Sequence, residues 1–291
     1  MKRIFLEDAI AENVTITGKD AHHLAYSLRA KKGDQIIAVH TLGSTAVIEL
    51  VDFDKETVRA KCVSEIAKVN PVETVKIIRT IGKKGDVEMH QTQTVHEQIF
   101  KKHITLAECL PKQNKFDVVV EKATELGVDK IEPLISDRTI ARPGNFRAKS
   151  KLDRWARVAK EAAEQSARDT LPEFGMIREM SDWLKEISNS LGRFRNIGKT
   201  SEKIFDGKGA LLIFCYEKEQ ETSLQKVLHD YKMCDCDKNI ILLIGPEGGF
   251  TDREAREIKS YGGVSVSLGK RILKTDTAAI SALAAVQYEF N

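Results

Sequence analysis

Asn239–Gly249 reads NIILLIGPEGG, and shortly after it Val264–Thr277 reads VSVSLGKRILKTDT. Ile240 to Ile244 is an unbroken apolar run, the pattern of a parallel strand covered on both faces. It ends in Gly245-Pro246-Glu247-Gly248-Gly249, where three glycines let backbone approach a ligand that side chains would hold off. Thr251-Asp252-Arg253-Glu254 has the spacing of a capping box and predicts a helix start, with Gly262 as its C-terminal stop. A second short strand, Val264 to Leu268, delivers the chain to Gly269. A final Ala-rich helix follows over Thr277 to Phe290, with Thr275 or Asp276 as its N-cap. Read this way, the two turns lie at the carboxyl ends of adjacent parallel strands. That is where α/β sheets form ligand-binding crevices.

The residues narrow the ligand only by exclusion. Neither G-x-G-x-x-G nor G-x-x-x-x-G-K-[ST] occurs, so a nucleotide pyrophosphate on a helix N-terminus is not indicated. Glu247 and Asp276 would repel a phosphate and would suit a cation or a ligand with hydroxyls.

The chain has 291 residues, enough for about two domains. Apolar residues make up 42% and charged residues 31%, the profile of a soluble globular protein. Lys2 and Arg3 are not followed by the apolar run of a signal peptide, and no stretch approaches the ~18 apolar residues of a membrane span. The five cysteines are an odd, scattered set that suits reduced thiols, so the expected location is the cytoplasm. Cys234-Asp235-Cys236, with only His229 nearby, reads as a polar loop rather than a metal site. No metal is expected.

Net charge is only +3, but cations cluster. Arg138, Arg142, Arg147, Lys149, Lys151, Arg154 and Arg157 face Asp153 alone across a stretch broken by Pro143-Gly144. The residues read equally as a phosphate-backbone footprint and as a solvated charge run. Arg29, Lys31 and Lys32 form a smaller basic patch. Residues 1–70 read as short strands, among them Gln35–His40, Ser44–Val51 and Thr57–Val63, with Asn70-Pro71 as a boundary. Strands and helices alternate from Ile104 onward. In the helix expected over Leu152–Asp169, Trp155, Val158, Ala159, Ala162, Ala163 and Ser166 form a packing stripe. Glu161, Gln165 and Arg168 share a polar flank, which lines a cleft or makes surface contacts.

Four blocks of the chain, in order, resemble the RsmE family of SPOUT methyltransferases. They are His22-His23-Leu24 through Leu28-Arg29 with Gly33-Asp34; Glu125-Leu126-Gly127-Val128 with Ile131 and Pro133; Lys160-Glu161-Ala162-Ala163-Glu164-Gln165-Ser166 with Arg168 and Pro172; and the two glycine turns. The resemblance implies an α/β fold: a SPOUT-type parallel sheet with a C-terminal trefoil knot, preceded by a small PUA-like β-barrel domain. It implies a homodimer that uses S-adenosyl-L-methionine to methylate N3 of a uridine in the decoding region of bacterial 16S rRNA, probed in the small ribosomal subunit. The division expected is a barrel over 1–70, a connector over 71–103 and a methyltransferase domain over 104–291.

By the same resemblance the cofactor would be held by Ile244, Gly245, Pro246, Glu247, Gly248 and Gly249 of the first turn. Leu268, Gly269, Ile272, Leu273, Thr277 and Ala278 would hold it from the second. Catalysis would fall to Lys274, Arg271, Arg168, Glu161 and Gln165. The RNA contacts would be Arg29, Lys31, Lys32, Arg138, Arg142, Arg147, Lys149 and Arg154.

Two departures stand out. Lys274 and Asp276 occupy positions where the family has Arg and Glu, and lysine lacks the planar fork of arginine. Residues Val75 to His103, with Gly82–Gly85 and His90, His96 and His103, form an insertion expected to extend the RNA footprint. The rival readings are a SPOUT enzyme with a ribose hydroxyl or guanine nitrogen as target, and a non-catalytic ribosome-assembly factor.

Overall fold

The computed structural model describes residues 2–40, 44–54, 57–64, 67–68, 74–76, 96–98, 102–196, 203–205, 209–233 and 239–290. The chain forms two units, one of Met1–Val69 with Lys102–Asn291 and one of Asn70–Lys101.

The first unit opens with a half-barrel sheet of β1 (Arg3–Leu6), β2 (Asn13–Thr17), β3 (Gln35–His40), β4 (Ser44–Phe53) and β5 (Thr57–Cys62) in the order β1-β3-β4-β5-β2. Only β1 and β3 run parallel. Side chains alternate as the pleat requires: Val14 and Ile16 of β2 and Val58 and Ala60 of β5 point to a core that also holds Leu24, Ile36, Ile48 and Leu50. A bulge between Leu50 and Asp52 bends β4 against β5.

The second sheet is entirely parallel. Its main strands are β6 (Ile104–Cys109), β7 (Lys130–Ile135), β8 (Leu211–Cys215), β9 (Ile240–Ile244) and β10 (Val264–Val266), in the order β7-β6-β9-β8-β10. Glu173–Phe174 and Arg178–Glu179 extend it beside β7. All five residues of β9 are buried, as its apolar run requires, each side chain contributing ~1.5–3 kcal/mol. Ile104, Leu106, Ile240 and Leu242 face one layer, where they pack with α1 (Lys115–Glu125), α2 (Asn145–Gln165), α4 (Leu224–Lys232) and α6 (Thr275–Phe290). Ala107, Cys109, Ile241 and Leu243 face the other, against α3 (Met180–Ile187) and α5 (Asp252–Ser260).

Several boundaries differ from expectation for physical reasons. Helix α2 begins at Asn145, immediately after Pro143-Gly144, and ends at Gln165, because Ala167 takes φ +60°. Its stripe of Trp155, Ala159, Ala162 and Ala163 is buried, whereas Ser166 is exposed and bonds the Ala162 carbonyl. Helix α6 starts at Thr275, whose hydroxyl is used outside the helix, so neither Thr275 nor Asp276 is a side-chain N-cap of a helix beginning at Thr277. The Thr251–Glu254 capping box is present in both directions, and Gly262 at φ +98° ends α5. Most consequentially, β9 and β10 are not neighbours. Strand β8 lies between them.

In the second unit, Thr74–Lys76 and His96–Gln98 pair antiparallel. Gly82–Gly85 and His90, like Cys234 and Cys236, lie outside the described residues. Among the described residues no group of His, Cys, Asp and Glu could hold a metal ion, and no helix is long and apolar enough to cross a membrane.

Candidate active site

The carboxyl ends of β8, β9 and β10 open into one cleft of about 820 Å³, within the size range of small-molecule sites. Three loops line it: Cys215–Ser223 after β8, Ile244–Gly249 after β9, and Val266–Thr275 after β10, with Ala278 beyond. The first of these escaped the sequence reading, which set β9 beside β10. The apolar strand ending in Cys215-Tyr216-Glu217 was its available signal. This loop is stitched to β10: Tyr216 N–H donates to Val266 O at 3.0 Å and Ser267 N–H to Thr222 O at 2.8 Å.

The GPEGG turn is held on every side. Gly249 N–H closes it on Pro246 O at 2.8 Å. Gly249 has φ +65°, and a Cβ there would lie 2.6 Å from Glu217 Oε1, so glycine is required for both conformation and space. The Thr275 hydroxyl donates to Gly245 O at 2.6 Å, joining the two glycine turns beneath the cleft. Arg138 Nη1 donates to Gly248 O at 2.5 Å and reaches Phe250 O at 3.5 Å. Glu247 turns away from the cleft centre and accepts from Lys112 N–H at 3.0 Å and Lys115 Nζ at 3.2 Å. Partial burial raises its pKa, but the hydrogen bonds from backbone N–H groups and Lys115 outweigh this, and the carboxyl sits below its ordinary range. Such an anchored carboxylate braces a loop and is badly suited to accept a substrate proton.

The second turn carries the exposed cations. Lys270, Arg271 and Lys274 line the cleft, together with Ile272 at 87% exposure. Under them lies Glu108, at the end of β6, fully buried and with neither carboxyl oxygen hydrogen-bonded.

The structure brings together most of the residues named for the cofactor, Thr277 excepted: it is exposed on α6 and outside the lining. Arg271 and Lys274 are in the cleft, but Arg168, Glu161 and Gln165 are not. Arg168 Nη1 donates to Thr124 O at 2.8 Å and Val128 O at 2.9 Å, satisfying carbonyls at and beyond the end of α1. Glu161 and Gln165 are exposed on α2. The same helix joins the half-barrel: Lys160 Nζ contacts Asp20 at 2.6 Å, Glu164 accepts from Phe5 N–H at 3.0 Å, and His23 lies 3.3 Å from Glu164. Lys160 and Glu164, four apart, carried a signal for this role that the flank of Glu161, Gln165 and Arg168 obscured.

The basic stretch divides likewise. Arg142 donates to Ser136 O at 2.9 Å and pairs with Glu179 at 2.9 Å, and Arg154 pairs with Asp117, which also accepts from Trp155. Arg29, Lys31, Lys32, Arg147 and Lys149 are exposed.

The sequence pattern of the RNA methyltransferase domain matches residues 98–287, and that of the RNA methyltransferase PUA domain matches residues 16–61. The chain belongs to the RNA methyltransferase family. Within that family it groups with proteins called ribosomal RNA small subunit methyltransferase E. The one from Bacillus subtilis is 28% identical over 99% of this chain and 97% of its own length. The one from Mesomycoplasma hyopneumoniae is 30% identical over 62% of this chain and 67% of its own. The crystal structure of the Neisseria gonorrhoeae protein of that name, bound to S-adenosyl methionine, superposes with a TM-score of 0.71 at 25% identity, covering 99% of this chain and 97% of that one. The parallel sheet, the cleft and the half-barrel of the methyltransferase are thus the shared SPOUT and PUA-like parts of a known architecture.

Proposed function

We propose that this methyltransferase modifies small-subunit ribosomal RNA at N3 of a uridine in the decoding region, using S-adenosyl-L-methionine, in the cytoplasm and as a homodimer with a trefoil-knotted C-terminal region. The observation that carries the reading is the pairing of two glycine turns by the Thr275–Gly245 hydrogen bond around a cleft of ligand size. Backbone-lined walls at Gly245–Gly249 and Leu268–Leu273 suit an adenosine, and the exposed Glu217 suits hydroxyls or an ammonium. When bound there, the cofactor supplies an already activated methyl group.

What the chain contributes is alignment and charge. A uridine imide must shed its proton before it attacks, and a cation beside the base stabilises the anion that develops. Lys274 and Arg271 are the groups placed for this, since Arg168 is committed to backbone carbonyls. Lys274 acts as a point charge and has no fork to lose if a single contact suffices. The base is reached when unpaired or flipped, because N3 is used in a Watson–Crick pair. Arg29, Lys31, Lys32, Arg147 and Lys149 are the exposed cations for the phosphate backbone.

The test is transfer of labelled methyl groups to small subunits that lack the modification, with mass spectrometry of the product nucleosides. N3-methyluridine is the expected product. A different methylated nucleoside overturns the target, and absence of transfer overturns the enzymatic reading.

A further inference from the structure

The turn after β2 carries a surface unused by the cleft. Gly18–His22 is a single α-turn, and His23–Ser27 widens into a π-helix, with Leu28 N–H reaching His23 O at 2.9 Å. Ala30 N–H then reaches Leu24 O at 2.9 Å. Turns of this kind are rare and frequently functional. The chain leaves through Arg29 at φ +47°, a left-handed conformation that costs a bulky residue about 1 kcal/mol or more. The wide turn lays the rings of His22 and Tyr26 over each other, with centroids 4.3 Å apart and planes inclined by 29°. Both residues are exposed, Tyr26 to 65%, while Leu24 anchors the turn in the core.

Charge around the stack is one-sided. Lys19, Arg29, Lys31 and Lys32 are exposed. The acidic neighbours are occupied: Asp20 by Lys160 and Asp34 by the Lys31 backbone N–H at 2.9 Å. An exposed aromatic pair bordered by cations matches unpaired RNA, whose bases stack on Tyr and His rings while phosphates meet Lys and Arg. It does not match an apolar protein partner.

We infer that the His22–Tyr26 stack is a platform for an unpaired nucleobase of the RNA substrate, with Arg29, Lys31 and Lys32 taking the flanking phosphates. The inference rests on the methyltransferase reading above and adds the mode of RNA recognition. The same turn is joined to α2 through Asp20–Lys160 and His23–Glu164, so RNA gripped there is held by the body that carries the cleft.

The full-length protein is tested against small-subunit particles lacking the modification, by filter binding over a salt series and by steady-state transfer. Tyr26→Ala is expected to weaken particle binding about tenfold, from the loss of one base stack. KM for particles rises accordingly, while kcat and calorimetric affinity for S-adenosylmethionine stay unchanged. Tyr26→Trp retains binding. The salt slope is unchanged in Tyr26→Ala and falls by about one in the Lys31→Ala, Lys32→Ala double variant. Particle binding by Tyr26→Ala equal to wild type overturns the platform. Failure of the wild-type protein to bind or methylate the particles strikes the proposed function itself, so the two failures are told apart.

Discussion

The Thr275 hydroxyl donates to the Gly245 carbonyl across 2.6 Å, both groups buried, and so fastens the start of α6 to the GPEGG turn. Thr275→Val keeps the shape and leaves that carbonyl without its donor, at a cost of about 1–3 kcal/mol. The expected result is a lower melting temperature and cofactor affinity reduced about tenfold by calorimetry, with Thr275→Ser close to wild type. Unchanged cofactor affinity in the valine variant would detach this bond from the site.

Arg138 was read by its charge as an RNA contact, but its guanidinium meets the carbonyls of Gly248 and Phe250, and its stem packs where a Gly248 Cβ would go. Arg138→Ala is therefore expected to raise the dissociation constant for S-adenosylmethionine about tenfold. The salt dependence of RNA binding should keep its slope. A slope reduced by roughly 0.7–0.9, with cofactor affinity intact, would return Arg138 to the phosphate contacts.

Arg168 satisfies the Thr124 and Val128 carbonyls and touches Thr170 Oγ1 at 3.4 Å. Arg168→Ala should cost about 2–3 kcal/mol in urea denaturation, as loss of charged hydrogen bonds to part-buried carbonyls does. The folded fraction should retain kcat. Undiminished stability with kcat collapsed would place Arg168 in the chemistry.

Glu108 is held neutral by burial first, then by the neighbouring Asp276 carboxylate, which together push its pKa well above the ordinary range. Thr275 gives its one hydroxyl proton to Gly245. The native protein thus keeps a proton that the unfolded chain releases above about pH 4.3. Stability therefore falls as pH rises from there through the raised native pKa. Glu108→Gln removes this titration. Thermal unfolding should show the variant and wild type most alike near pH 4 and the variant increasingly the more stable toward pH 8. A constant difference across that range would mean that Glu108 does not titrate as described.

How much of this was legible follows from the range of the interactions. The apolar run Ile240–Ile244, the Thr251–Glu254 capping box and the glycine at Gly262 are local patterns, and each fixes its own backbone within a few residues. Gly249 is local in conformation, but the Glu217 carboxylate that also demands glycine there arrives from another strand.

Strand order was not legible. Placing β8 between β9 and β10 depends on which crossovers pack their helices on which face, and so the loop Cys215–Ser223 entered the cleft unannounced. The cations were legible as charges and not as roles. Arg138, Arg142, Arg154 and Arg168 each found a carbonyl or carboxylate supplied by a distant segment, while Lys31, Arg147 and Lys149 remained at the surface. The sequence by itself determined the elements, the two glycine turns and the family, because backbone preference and apolar spacing act over a turn or a strand. Only the tertiary structure decided which loops share the cleft and which cations face it, because desolvation and hydrogen-bond partners belong to the folded neighbourhood and not to the residue.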